Sequence, residues 1–213
     1  MLEILLSAFG LGVAVSIPVG SFTIAASRRA VTHGFGAAFI FTLGSLLADA
    51  FYVLLAYLGL APLLAASEIV RLLLWTFGGA WLCWLGWDAL RTRIDAAMLQ
   101  GDVQPDRALT GFMAGLGVTL LNPVTIVGWI AVAGSFFAGW SDNWLPLYPY
   151  GLLAITGMLL GTLIYSLAVL GFLSWIRRFI NPRILTGASM LAGIALILFG
   201  LGAWWSALRL IWV

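Results

Sequence analysis

The feature that most constrains this chain is a series of long apolar runs separated by short, charged breaks. A membrane-spanning helix needs about 20 mainly apolar residues, and six runs reach that length. Their approximate bounds are 4–27, 35–60, 69–90, 109–137, 147–175 and 184–208. The sequence therefore predicts an all-α integral membrane protein with six transmembrane helices and little mass outside the lipid.

The charge content excludes most soluble classes of protein. Charged residues make up 8% of the 213 positions, against about a quarter in an average soluble domain. The net charge of +2 comes from arginines scattered over short breaks, which is too little for a nucleic-acid-binding patch. The single cysteine, Cys83, and the single histidine, His33, can form neither a disulfide nor a zinc site. No cofactor, no metal ion and no nucleic-acid partner is expected.

The distribution of arginine predicts the orientation in the membrane. Eight of the ten arginines fall in the breaks after the first, third and fifth runs, and only Arg71 and Arg209 lie on the other side. Cytoplasmic loops of membrane proteins carry an excess of basic residues. The asymmetry therefore places those three breaks in the cytoplasm and both termini outside, in a bacterial cytoplasmic (inner) membrane. The first run has no basic segment before it and contains Pro18, so we expect a permanent span and not a cleaved signal peptide.

The two halves of the chain resemble each other. Gly-Leu-Gly-Val, four further residues and Pro-Val occur at 10–19 and again at 115–124, at an offset of 105. Glycine and leucine positions of the second and third runs recur in the fifth and sixth. The predicted domain has repeat one over 1–90, a cytoplasmic linker over 91–108 and repeat two over 109–213. Because each repeat has three spans, the second runs in the opposite direction, as in many secondary transporters with a midplane substrate site.

Prolines in the first and fourth runs predict a break in each helix. Pro18, followed by Gly20, and the pair Asn122-Pro123 lie near the predicted membrane midplane. Proline removes a backbone hydrogen bond and kinks or breaks a helix. The half-helices that follow would both begin at the centre of the membrane, where two positive dipole ends could hold a carboxylate. The alternative is that the prolines kink their helices for packing only.

One deep carboxyl complements these breaks. Asp49 is the only acidic or basic residue between His33 and Glu68, and an ionisable group inside a membrane span is a functional-site hypothesis by default. The predicted site also takes in polar side chains of the second, fourth and fifth runs: Ser45, Tyr52, Thr119 and Tyr165. The alternative is a protonated Asp49 that holds helices together through a hydrogen bond.

These residues resemble the LysE/RhtB family of amino-acid exporters. The likeness covers nearly the whole chain and is carried by residues 16–20 followed by 28–29, by 44–49 with Tyr52, by 78–87 with 89–91, and by 120–123. Where the family typically has Pro-Gly-Pro, this chain has Pro18-Val19-Gly20. The resemblance implies six spans, homodimers, and export of amino acids from the cytoplasm driven by the proton or ion gradient.

The sequence and the resemblance together predict a secondary active transporter and no enzyme. It would export amino acids or related zwitterions as a proton antiporter. The substrate carboxylate would lie at the two half-helix N-termini and its ammonium near Asp49. Asp49 would bind substrate and proton in turn while one repeat rocks against the other. Two alternatives stay open: a cation or metal-ion exporter, which usually needs more deep carboxylates or thiolates, and a membrane scaffold that transports nothing.

Overall fold

The computed structural model describes residues 1–17, 20–59, 68–91, 108–141, 150–179 and 181–211. Regular structure within these ranges is helical throughout, which confirms the predicted all-α class. The predicted linker lies outside the described residues except at its two ends. The helices are α1 (Leu2–Ser16), α2 (Ser21–Thr32), α3 (Phe35–Tyr57), α4 (Glu68–Arg91), α5 (Ala108–Leu120), α6 (Pro123–Ser141), α7 (Tyr150–Ile176) and α8 (Pro182–Ile211), with a 3-10 turn, Arg177–Phe179, after α7.

Three helices, α3, α7 and α8, are long and apolar enough to cross a membrane. The pairs α1–α2 and α5–α6 meet the same criterion when each is taken as one bent span, which gives up to five. Helix α4 covers the third predicted run and has 24 residues, but it is not among these candidates. It carries Arg71 and Asp88 within its length. The described helices agree with an integral membrane protein, and the sixth span stays a prediction.

Both predicted helix breaks coincide with sharp bends. Helices α1 and α2 meet at 80°, and α5 and the following helix meet at 69°. Asn122 precedes α6, and its Oδ1 accepts the Val124 N–H at 3.0 Å. Pro123 is the first residue of α6, a position where the missing N–H of proline costs no hydrogen bond. The break at Asn122-Pro123 is thus confirmed, whereas Pro18 lies outside the described residues, between α1 and α2.

Helix α1 packs against α7 with their backbones in close contact. A Cβ added at Gly12 would meet the backbone carbonyl oxygen of Met158. A Cβ at Gly161 would meet the carbonyl oxygen of Phe9. Small residues allow such close approach of helices in membranes. The absence of side chains at these two glycines therefore sets the distance between α1 and α7.

Helix α5 packs against α3 in the same way. A Cβ added at Gly115 would meet the carbonyl oxygen of Phe41, and one at Gly44 would meet the carbonyl oxygen of Phe112. The two helix pairs therefore have the same pattern of contacts, with Gly115 in the place of Gly12, two residues away from the match that the sequence repeat gives. Each of these close pairs joins a helix of the first half of the chain to a helix of the second half.

One arginine from the predicted cytoplasmic group lies inside the fold. Helix α2 extends to Thr32, so Arg28 belongs to a helix and not to the break after the first run. Its side chain is buried and donates hydrogen bonds to Ser189 Oγ at 3.0 Å and to Asp88 Oδ2 at 3.1 Å. A buried charge is tolerated when it is paired and hydrogen-bonded. These bonds also join α2 to α4 and α8.

Candidate functional site

A cavity of about 290 Å³ lies where the two helix breaks meet, and we call it the polar cavity because its wall includes Asp49, Asn122 and several hydroxyl groups. The first turns of α2 and α6 both contribute to its wall, through residues 21–23 and 124–125. Helix N-termini carry a partial positive charge and favour anions. Of the predicted site residues, the structure brings five together in the cavity wall: Gly20, Ser45, Asp49, Thr119 and Asn122.

Asp49 is the only acidic residue among the described residues in the wall of this cavity. It projects from α3 and is 6% exposed. The indole Nε1–H of Trp129, on α6, donates to Asp49 Oδ1 at 2.7 Å. A buried carboxyl group is costly without hydrogen bonds. The contact with Trp129 satisfies one oxygen of Asp49, and the carboxyl group still lines the cavity.

Trp129 is a residue of the candidate site that the sequence analysis did not single out. It is 1% exposed and lines the same cavity as Asn122 and Thr125. These three residues are spaced at i, i+3 and i+7, which places them on one face of a helix. That spacing was the available signal. Tryptophan is common in membrane spans as packing material and carries no charge, so composition alone did not distinguish it.

A hydrogen bond joins the two breaks directly. Asn122 Nδ2–H donates to Ser21 Oγ at 3.0 Å, while Asn122 Oδ1 accepts the Val124 N–H. The N-cap of α2 is Gly20, which has no side chain to cap the first amides of that helix. Asn122 therefore caps α6 with one end of its amide and contacts the start of α2 with the other.

Helix α3 supplies two further hydrogen bonds to the end of α5. The hydroxyls of Ser45 and Thr119 lie 2.6 Å apart, and Tyr52 OH donates to the Leu120 carbonyl at 2.5 Å. The last carbonyls of a helix lack partners within it. Tyr52 thus satisfies a carbonyl freed by the break, and it is not among the residues that line the cavity.

The remaining predicted residues lie elsewhere or are only partly described. Tyr165, on α7, is half-buried and lines neither of the cavities near the breaks. Thr162, one turn before it, does line the polar cavity and donates to the Gly12 carbonyl at 3.1 Å. The backbone of Pro123 begins α6.

The donor set of the cavity suits an organic zwitterion better than a metal ion. Within the described ranges, no three His, Cys, Asp or Glu side chains are grouped closely enough to hold a metal. The wall instead combines one carboxyl group with hydroxyls, an amide and two helix N-termini. A cation can bind near Asp49 and an anion near the helix ends, so the two charges of one small molecule find complementary groups.

Comparisons with known proteins agree along most of the chain. A family model described as "LysE type translocator" matches residues 13–206. "Putative amino acid efflux protein YcgF" of Bacillus subtilis is 32% identical over 206 residues, which cover 93% of this chain and 94% of that protein. "Chemotactic transduction protein ChpE" of Pseudomonas aeruginosa is 34% identical over 201 residues, covering 94% and 96%. "Putative amino-acid transporter YggA" of Aeromonas salmonicida is 31% identical over 184 residues, covering 81% and 83%. No solved structure matches.

Proposed function

The chain belongs to the LysE type translocator family, and from this premise we propose that it exports amino acids by exchange for protons. The family assignment confirms the resemblance drawn from the sequence. Two of the similar proteins bear names that refer to amino-acid efflux or amino-acid transport. A translocator family also favours transport over an enzymatic reaction. The observation that carries the proposal is the buried Asp49, held by Trp129 at the edge of a polar cavity between two helix breaks.

The proposed binding mode places the charges of a zwitterion at opposite sides of the cavity. The ammonium group lies near Asp49, and the carboxylate lies at the N-termini of α2 and α6. Discontinuous helices use their N-terminal dipoles in this way for anionic groups of substrates. A proton replaces the substrate ammonium on Asp49 in the return step, so that each substrate leaves in exchange for a proton.

The proposed architecture is six spans in two repeats of opposite direction. Its support is that the pairs α1–α7 and α5–α3 have the same pattern of close glycine contacts. A two-fold relation between the two halves of the chain requires such equivalent pairs. Helices α4 and α8, the third of each half, pack on each other, with a Cβ at Gly86 meeting the Gly193 carbonyl and one at Gly200 meeting that of Gly79. Membrane lipid surrounds the helices, and a homodimer is part of the proposal because the family resemblance implies it.

The proposed orientation places both termini outside a bacterial cytoplasmic membrane. Its support is the excess of arginine in the breaks after the first, third and fifth runs. Single cysteines from Asp142→Cys and Asp102→Cys, in a Cys83→Ala background, test it in intact cells. An impermeant thiol reagent is expected to label position 142 and not position 102. Labelling of position 102 alone would reverse the orientation.

If the substrate carboxylate binds at the two helix N-termini, a molecule without a carboxylate should compete weakly for transport. In proteoliposomes loaded with a labelled amino acid, an imposed proton gradient is expected to drive efflux. The unlabelled amino acid should compete, whereas its decarboxylated amine should compete at least about 10-fold more weakly. The amine lacks charge-assisted hydrogen bonds worth about 1.5–3 kcal/mol each. Asn122→Leu should reduce this discrimination, because it removes the cap of α6 and the bond to Ser21.

The control for this experiment is Leu2→Ala, which changes an exposed residue at the start of α1 and should leave the discrimination intact. Equal competition by amine and amino acid in the unmodified protein would reject the carboxylate site and favour a cation exporter. Absence of efflux for every amino acid would favour a membrane protein that transports nothing. The name of the Pseudomonas relative, which refers to chemotactic transduction, is the observation that supports this second candidate.

A further inference from the structure

A second, larger cavity adjoins the polar one. It measures about 460 Å³ and lies between α4, α8 and the two helix breaks. The two cavities share five wall residues: Gly20, Ser21, Asn122, Val124 and Phe199. The two cavities are therefore neighbours at the helix breaks.

The wall of the second cavity is apolar beyond the shared boundary. Aromatic and aliphatic side chains from α4 and α8 form most of it, among them Trp75, Leu82 and Leu198. Among the wall residues that the structure describes, Ser206 is a polar residue beyond the shared boundary and none is charged. The volume lies within the range of about 300–1,000 Å³ that is typical of small-molecule sites. A charged group placed there would lose its hydration without gaining a partner.

We propose that this apolar cavity receives the side chain of the substrate while the polar cavity holds the α-amino and α-carboxyl groups. The substrate class is then an amino acid with a large apolar side chain, such as leucine or phenylalanine. The inference rests on the proposed function, since it assigns a second part of the same site. Basic amino acids fit poorly because their terminal charge would enter the apolar cavity, and small hydroxy amino acids leave most of it empty.

The expected selectivity follows from the area that the side chain buries. Full burial of a leucine or phenylalanine side chain favours binding by about 10- to 100-fold over a side chain that gains no such contact. Aromatic substrates can also stack on Trp75 or Phe199, which line the cavity. We expect leucine and phenylalanine to be exported in preference to threonine and lysine by a factor in this range.

The test combines a substrate panel with a cavity-filling variant. Efflux of labelled leucine, phenylalanine, threonine and lysine is measured from proteoliposomes. Gly202 lines the apolar cavity, and a Cβ added there meets nothing within 4 Å, so Gly202→Leu adds an apolar side chain at the cavity wall without a clash at its Cβ. This variant should lower leucine and phenylalanine efflux at least about 10-fold and change threonine efflux little.

The matched control is Gly187→Leu. Gly187 lies on the same helix, a Cβ there also meets nothing within 4 Å, and it lines neither cavity. Its selectivity should equal that of the unmodified protein. Gel filtration and circular dichroism of both variants establish that each is folded before transport is compared.

The outcomes separate this inference from the proposed function. Preferred export of threonine or lysine would overturn the inference and leave amino-acid export standing. Absence of export for all four would overturn the inference, whereas the proposed function would be overturned by absence of export for every amino acid. A preference for leucine that Gly202→Leu leaves unchanged would also overturn the inference. The cavity would then be a surface groove without a role in substrate binding, and its wall residue Leu198 is 63% exposed.

Discussion

Replacing Asp49 with asparagine is expected to abolish uphill export while leaving the protein folded. The carbonyl oxygen of asparagine can still accept the Trp129 N–H that now bonds Asp49 Oδ1 at 2.7 Å. The variant therefore keeps the shape and this hydrogen bond but cannot exchange a proton. One coupled charge moving through 100 mV is worth about 2.3 kcal/mol, enough for a concentration ratio of about 50-fold. The ratio reached by Asp49→Asn should fall to about one.

The measurement is the steady-state distribution of a labelled amino acid in proteoliposomes with a fixed proton gradient. Glu3→Gln is the matched control, since it removes the same charge from an exposed residue of α1 and should leave the ratio unchanged. Uphill export by Asp49→Asn at the level of the unmodified protein would eliminate Asp49 as the coupling group. Asp49 would then serve the packing of α3 against α6.

Gly12→Val is expected to disrupt the packing of α1 on α7. A Cβ at Gly12 meets the backbone carbonyl of Met158, and a backbone atom cannot move aside by a rotamer change. Overpacking a tightly packed contact costs about 1–3 kcal/mol or more. We expect the melting temperature of the detergent-solubilised protein to fall by about 5–10 °C, or the folded protein to be lost.

Gly10→Val is the control for this substitution. Gly10 lies two residues earlier in α1, is exposed, and a Cβ there meets nothing within 4 Å. Both variants place the same β-branched residue in the same helix, so propensity effects cancel in the comparison. Equal melting temperatures for the two variants would show that α1 and α7 do not pack as the structure describes.

The sequence could predict parts of the site whose chemistry is unusual for a membrane span. A lone carboxyl in an apolar run singles out Asp49, and an Asn-Pro pair predicts both a break and its cap at Asn122. Trp129 could not be found in the same way, because helical spacing gives a face and not a partner. The hydrogen bond from Tyr52 to the Leu120 carbonyl could not be predicted either, because it depends on how α3 packs against α5.

The same limit applies to the fold: the sequence predicts where the helices are but not how they pack. Runs of apolar residues locate helices well, because burial in lipid requires about 20 of them in succession. They say little about tilt or about which helices meet. Arg28 illustrates this limit. Its charge suggested a loop, whereas the structure buries it in α2 with Asp88 and Ser189 as partners. Contacts with residues distant in the sequence determine where the side chain of Arg28 lies.

The glycine contacts determine which parts of the protein can move as rigid bodies. Helices whose backbones touch cannot slide past each other without separating, since packed interfaces do not deform continuously. Helix α1 is fixed in this way to α7, and α5 to α3, so each rigid pair takes one member from either half of the chain. These contacts do not fit the expected rocking of one repeat against the other, because a division of the molecule at the linker would separate both pairs. If the protein alternates between two states, we expect the hinges at the bends between α1 and α2 and between α5 and α6, with α2 moving together with α4 and α8, to which Arg28 joins it.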